Sequence, residues 1–114
     1  MKEEQIQKAI AQTLDIANVR WCHVPNGGHR HIAVATKMKA AGTKPGVPDV
    51  MIFDEPPNAK SAKGAALELK TRKGRLTDHQ AEWCKTLTER GWAVAVTKGL
   101  DEAMMQLRDW GYIR

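Results

Sequence analysis

Two carboxylates and an ammonium stand in apolar surroundings that have little use for them. Ala65-Ala66-Leu67-Glu68-Leu69-Lys70 reads as a strand. Successive strand side chains alternate between faces, so Glu68 and Lys70 point one way and Leu69 the other. Charge placed on such a strand is costly unless it is paired or binds a metal. Asp49 opens a second apolar run, Val50-Met51-Ile52-Phe53. If the two runs are neighbouring strands, Asp49, Glu68 and Lys70 meet at one spot. Two hard oxygen ligands with a cation beside them suit a divalent metal that activates water against a phosphodiester.

These residues need elements to position them. Ile6, Ala9, Ile10, Leu14 and Ala17 recur at three- and four-residue steps, which predicts a helix from about Glu3 to Ala17 with one apolar face. Val19 to Val24 reads as a short strand ending at Pro25, and Asn26-Gly27-Gly28 as a turn. Ile32 to Ala41 fits a helix with Lys37 and Lys39 on its exposed side, stopped by Gly42. The stiff loop Thr43-Lys44-Pro45-Gly46-Val47-Pro48 then delivers Asp49 to its strand. Asp54 to Gly64 is a polar connection between the Asp49 and Glu68 strands, with no expected chemistry. Thr77-Asp78-His79-Gln80 is a capping box, with Thr77 as N-cap and Gln80 three residues on. The helix it opens should bury Leu76, Trp83, Cys84 and Leu87 and end at Gly91. Trp92 to Thr97 alternates as a last strand, and Leu100, Ala103, Met104 and Leu107 line a short final helix. This order fits an α/β domain with a mixed central sheet. The Asp49 and Glu68 strands would form an antiparallel hairpin, and the route from Lys70 to Trp92 a helical crossover, right-handed if its strands are parallel.

Basic residues cluster after Lys70, in Thr71-Arg72-Lys73-Gly74-Arg75, where they could grip a phosphate backbone. His29, Arg30 and Lys44 form a weaker basic set in the earlier loops. A rival reading of the same region is a zinc site from Cys22, His23, His29 and His31. Its spacing matches no common zinc pattern, and Cys22 and His23 would point oppositely on a strand. The four tryptophans are not interleaved with basic residues in the manner of single-strand binders and read as core or interface.

Gly46-Val47-Pro48-Asp49, Glu68-Leu69-Lys70, Gly74-Arg75-Leu76-Thr77, Gln80, Gly91 and the amino-terminal Glu3-x-x-Ile6-Gln7 together resemble the VRR-NUC branch of the PD-(D/E)XK nucleases. The ordered set spans nearly the whole chain, so the expectation is one stand-alone domain over residues 1–114. The resemblance implies a restriction-endonuclease-like fold, with a mixed central sheet flanked by helices. It implies Mg²⁺- or Mn²⁺-dependent hydrolysis of DNA, with Asp49, Glu68 and the Leu69 carbonyl holding the metal. Glu3 would complete the site directly or through water, although Glu4 lies next to it. Lys70 would orient the attacking water or stabilise developing charge. Gln80 would orient groups at the site, a role that competes with its place in the capping box. Arg72, Lys73 and Arg75 would supply backbone affinity. Stand-alone members resemble Holliday-junction resolvases, which implies branched DNA and a homodimer.

The bulk numbers agree with that reading. A net charge of +5 suits a polyanionic partner. The start Met1-Lys2-Glu3-Glu4 is too polar for a signal peptide, no apolar run approaches a membrane span, and two cysteines make no disulfide scaffold. A soluble cytoplasmic protein is expected, with Cys84 a buried free thiol. The readings from other classes are a non-catalytic DNA-binding module that kept the fold, which the intact Asp49, Glu68 and Lys70 argue against, and the small zinc protein.

Overall fold

A computed structural model describes residues 1–25 and 32–114 of the chain. Within them the elements run α1 (Glu3–Ile16), β1 (Trp21–His23), α2 (Ile32–Ala40), β2 (Val50–Ile52), β3 (Ala65–Lys70), α3 (Asp78–Glu89), β4 (Ala93–Lys98) and α4 (Gly99–Trp110). The strands lie in the order β1-β2-β3-β4. β1 with β2 and β2 with β3 are antiparallel, while β3 and β4 are parallel. The mixed sheet with helices packed on it is the expected architecture, and β3 has the expected bounds.

Register decides which side chains share a face. Val50 pairs with Leu67 and Ile52 with Ala65, and all four are fully buried. They pack with Leu69 against Ile6, Ile10 and Leu14 of α1 and Ala103 and Leu107 of α4. Each such Leu or Ile contributes about 1.5–3 kcal/mol by leaving water. Glu68 and Lys70 therefore face away from this core. The carboxyl end is tied down by the Tyr112 hydroxyl, which donates to the Asp54 carbonyl at 2.6 Å. No helix among the described residues is long and apolar enough to cross a membrane.

Several details depart from expectation. Leu76 is 38% exposed rather than buried. It lies just before the N-cap, and the residue four places into the helix, where a hydrophobic staple would need a partner, is the small, exposed Ala81. Trp83 and Cys84 are half-buried, and of the four tryptophans only Trp110 is buried. β4 is shifted by one residue, because pairing with β3 continues to Lys98 opposite Lys70. α4 is a full helix of 12 residues rather than a short one. α2 forms where the periodicity placed it, but none of its residues is buried.

Candidate active site

Asp49 is the half-buried residue immediately before β2, and it is fixed from both ends. Its carbonyl accepts from the Val24 N–H at 2.9 Å. The same carbonyl lies 2.8 Å from Nδ1 of His23, which must carry the proton because a carbonyl can only accept. Its carboxylate Oδ2 accepts from the Leu69 N–H at 2.8 Å, across the hairpin. That bond stitches Asp49 to the middle of the Glu68-Leu69-Lys70 segment.

Glu68 is 1% exposed, and Lys70 beside it is 8% exposed. Lys70 Nζ stands 3.5 Å from Glu68 Oε2. Gly74 in the following turn leaves room for the Lys70 stem: a Cβ there would lie 3.3 Å from Lys70 Cδ. Burial first, and then the nearby Asp49 carboxylate, raise the Glu68 carboxyl from its ordinary 4.5 to about 8, with Lys70 pulling the other way. Its surroundings thus favour the protonated acid, and a bound cation would favour loss of that proton. Burial also pushes up the neighbouring Cys84 thiol, Glu68 adds to the shift and Lys70 opposes it, so Cys84 is a neutral thiol rather than a nucleophile.

α1 packs on the opposite face, yet its first turn reaches the same point. Carboxylate oxygens of Glu3, Asp49 and Glu68 all lie within 4.8 Å of one another. Glu4 is turned away and pairs with Lys8 at 3.1 Å on the helix surface. Gln7, one turn beyond Glu3, has both side-chain amide atoms buried without a hydrogen-bond partner, an arrangement that asks for water or an ion nearby. A hard, oxygen-rich donor set fits Mg²⁺ or Mn²⁺. Among the described residues this is the grouping with metal-holding geometry, and Cys22 and His23 do not join it. His29, Arg30 and His31 lie outside the described residues.

Gln80 corrects the expectation that its cap and its site role exclude each other. Its Oε1 accepts from the Thr77 N–H at 2.9 Å, while its Nε2 donates toward Glu68 Oε2 at 3.4 Å. A carboxamide carries an acceptor and two donors, so one side chain serves both partners. Gly46 makes this possible. It has φ +86°, and a Cβ there would fall 2.5 Å from the His79 backbone, so only glycine lets the Asp49 loop lie against the first turn of α3.

Arg72, Lys73, Arg75 and Lys44 are exposed. Arg72 and Lys73 line a cleft of about 780 Å³ with Lys98, Asp101 and Glu102. Lys98 lies one residue past the strand that alternation alone predicts, Trp92 to Thr97. Pairing that strand in parallel with Ala65–Lys70 would have placed Lys98 beside Lys70.

A restriction-endonuclease-like sheet that gathers carboxylates and a lysine at the end of its hairpin defines a nuclease-type domain. The sequence profile of the VRR-NUC domain matches residues 1–101, and the chain belongs to the VRR-NUC family. A solved structure described as a VRR_NUC domain protein superposes with a TM-score of 0.77, over 97% of this chain and 88% of that one, at 20% sequence identity. At that identity the likeness is one of fold. No curated protein matches the sequence.

Proposed function

We propose that the chain is a Mg²⁺- or Mn²⁺-dependent endonuclease that hydrolyses DNA phosphodiesters, selects branched, junction-like DNA and acts as a homodimer. The observation that carries this reading is the convergence of Glu3, Asp49 and Glu68 oxygens within 4.8 Å, beside the buried Lys70. Asp49, Glu68 and the Leu69 carbonyl would hold the cation, with Glu3 binding directly or through water. When bound, the metal supplies Lewis acidity and lowers the pKa of water.

The remaining work falls to the chain. Lys70 is held in place by Glu68 and by the turn above it. It stabilises negative charge that develops on the phosphate, or orients the attacking water. Gln80 fixes the rotamer of Glu68 through its donated bond. Arg72, Lys73, Arg75 and Lys44, with His29 and Arg30, hold the phosphate backbone without reading sequence. A four-way junction presents two equivalent strands, so a two-fold pair of sites matches it. The free thiols of Cys22 and Cys84 fit a cytoplasmic location.

The test is cleavage of a panel of labelled DNA structures (four-way junction, flap, fork and duplex) in Mg²⁺, Mn²⁺ or EDTA, with the solution mass measured in parallel. The reading expects metal-dependent cleavage strongest on the junction and a mass of twice the chain. Equal cleavage of plain duplex would remove the structure selectivity, and a monomer mass would remove the two-fold arrangement.

A further inference from the structure

A second cavity, of about 290 Å³, lies between the Lys44–Pro45 loop and α3 and is lined by Lys44, Pro45, His79, Glu82, Trp83 and Thr86. We propose that this groove takes one unpaired nucleobase of the DNA strand being cut. The proposal rests on the nuclease reading and specifies its substrate: DNA with an unpaired nucleotide next to the scissile phosphate.

The lining has the parts such a site needs. Pro45 and the half-buried Trp83 line the groove with apolar side chains, and stacking on an aromatic ring tolerates any base. His79, Glu82 and Thr86 bring donors and acceptors to the rim, within reach of base edges. Lys44 is exposed at the loop side, where it can meet the phosphate attached to that base. At about 290 Å³ the groove stands at the small end of the range for drug-sized ligands, about 300 to 1,000 Å³, with room for one base.

Its position ties it to the reacting centre. The loop that walls the groove at Lys44 and Pro45 is the one that delivers Asp49, and at Gly46 it lies against the His79–Gln80 backbone. Gln80, which donates toward Glu68, is one helical turn before Trp83. With the scissile phosphate at the carboxylates, the proposal places the base of a neighbouring nucleotide at Trp83. In a paired duplex that base is stacked and hydrogen-bonded, and extracting it costs a few kcal/mol. At a branch, a flap or a single strand it is already free. The groove would thus convert unpairing into affinity, which a basic surface alone cannot do.

The experiment uses the wild-type chain in Ca²⁺ with fork DNA carrying 5-iodouracil at successive positions around the branch, followed by photocrosslinking and peptide mapping. One position is expected to crosslink to Trp83. An abasic site at that position should weaken binding by about 5- to 160-fold, the range for losing one base–aromatic stack. Trp83→Leu should erase the difference between intact and abasic DNA, and Lys44→Gln should weaken both alike. Because the crosslink is read on the wild-type chain, it decides the matter even if Trp83→Leu fails to fold. Crosslinks that map elsewhere, or abasic DNA that binds as tightly as intact DNA, overturn the proposal. If the chain binds DNA without this base dependence, the groove alone is refuted. If it binds no DNA, the nuclease reading falls and the groove with it.

Discussion

Glu68 is the residue on which the site turns, because its surroundings set both its charge and its use. Its carboxyl is raised from 4.5 to about 8 in the metal-free fold. A group raised on folding contributes stability that is full below its unfolded value and is lost as pH rises through its folded value. The metal-free protein should therefore lose stability between about pH 4.5 and 8. Metal binding must displace that proton, so Mn²⁺ affinity should climb with pH up to about 8. Thermal melts with and without Mn²⁺ at low and high pH check both, with the larger metal-induced rise expected at high pH. A rise independent of pH would mean that Glu68 is not a ligand. Lys70→Met should keep DNA binding and slow the chemical step by about 10²- to 10³-fold in single-turnover assays, the scale for losing one electrostatic partner of the transition state. Strand alternation and two charged residues on an apolar run made this corner of the site legible. The double service of Gln80 was not, because sequence gives a side chain's neighbours along the helix but not its distance to another strand.

At the scale of elements, the account depends on the register of β2 and β3 and on the approach of the Asp49 loop to α3. Leu69 is fully buried on the face opposite Glu68. Leu69→Ala should cost about 2–5 kcal/mol through the cavity it leaves, with activity surviving in whatever stays folded. An unchanged melting temperature would show the register to be wrong. Gly46→Ala should be strained twice, by its positive φ and by the absence of room for a Cβ. The φ penalty alone is about 1–2 kcal/mol, and activity should fall further than stability as Asp49 and Gln80 are pushed apart. Activity can be compared with melting temperature in the same samples. Elements with a clear pattern of residue order, such as α1 and β3, were readable from the sequence alone. Ends and partners were less legible: β4 extends to Lys98 along its neighbour's ladder, and Leu76 meets only the small Ala81 at the staple position and stays 38% exposed. Both outcomes belong to tertiary pairing, which no local pattern encodes.

For the whole molecule, the net charge of +5 suits a polyanionic partner such as DNA. Neutralising any one of Arg72, Lys73 or Arg75 should weaken every DNA substrate similarly and reduce the slope of log affinity against log salt by about one unit. Loss confined to one sequence, with the slope unchanged, would indicate base contacts instead. On the proposed reading, a phosphodiester is cut at a metal held by Asp49 and Glu68. The most direct test is the initial rate of Mn²⁺-dependent cleavage of a labelled four-way junction by wild type and by Glu68→Gln, with folding of both verified by melting. Wild type should cleave, with no cleavage in EDTA and none by the folded Glu68→Gln variant. Cleavage by that variant at the wild-type rate would contradict the reading.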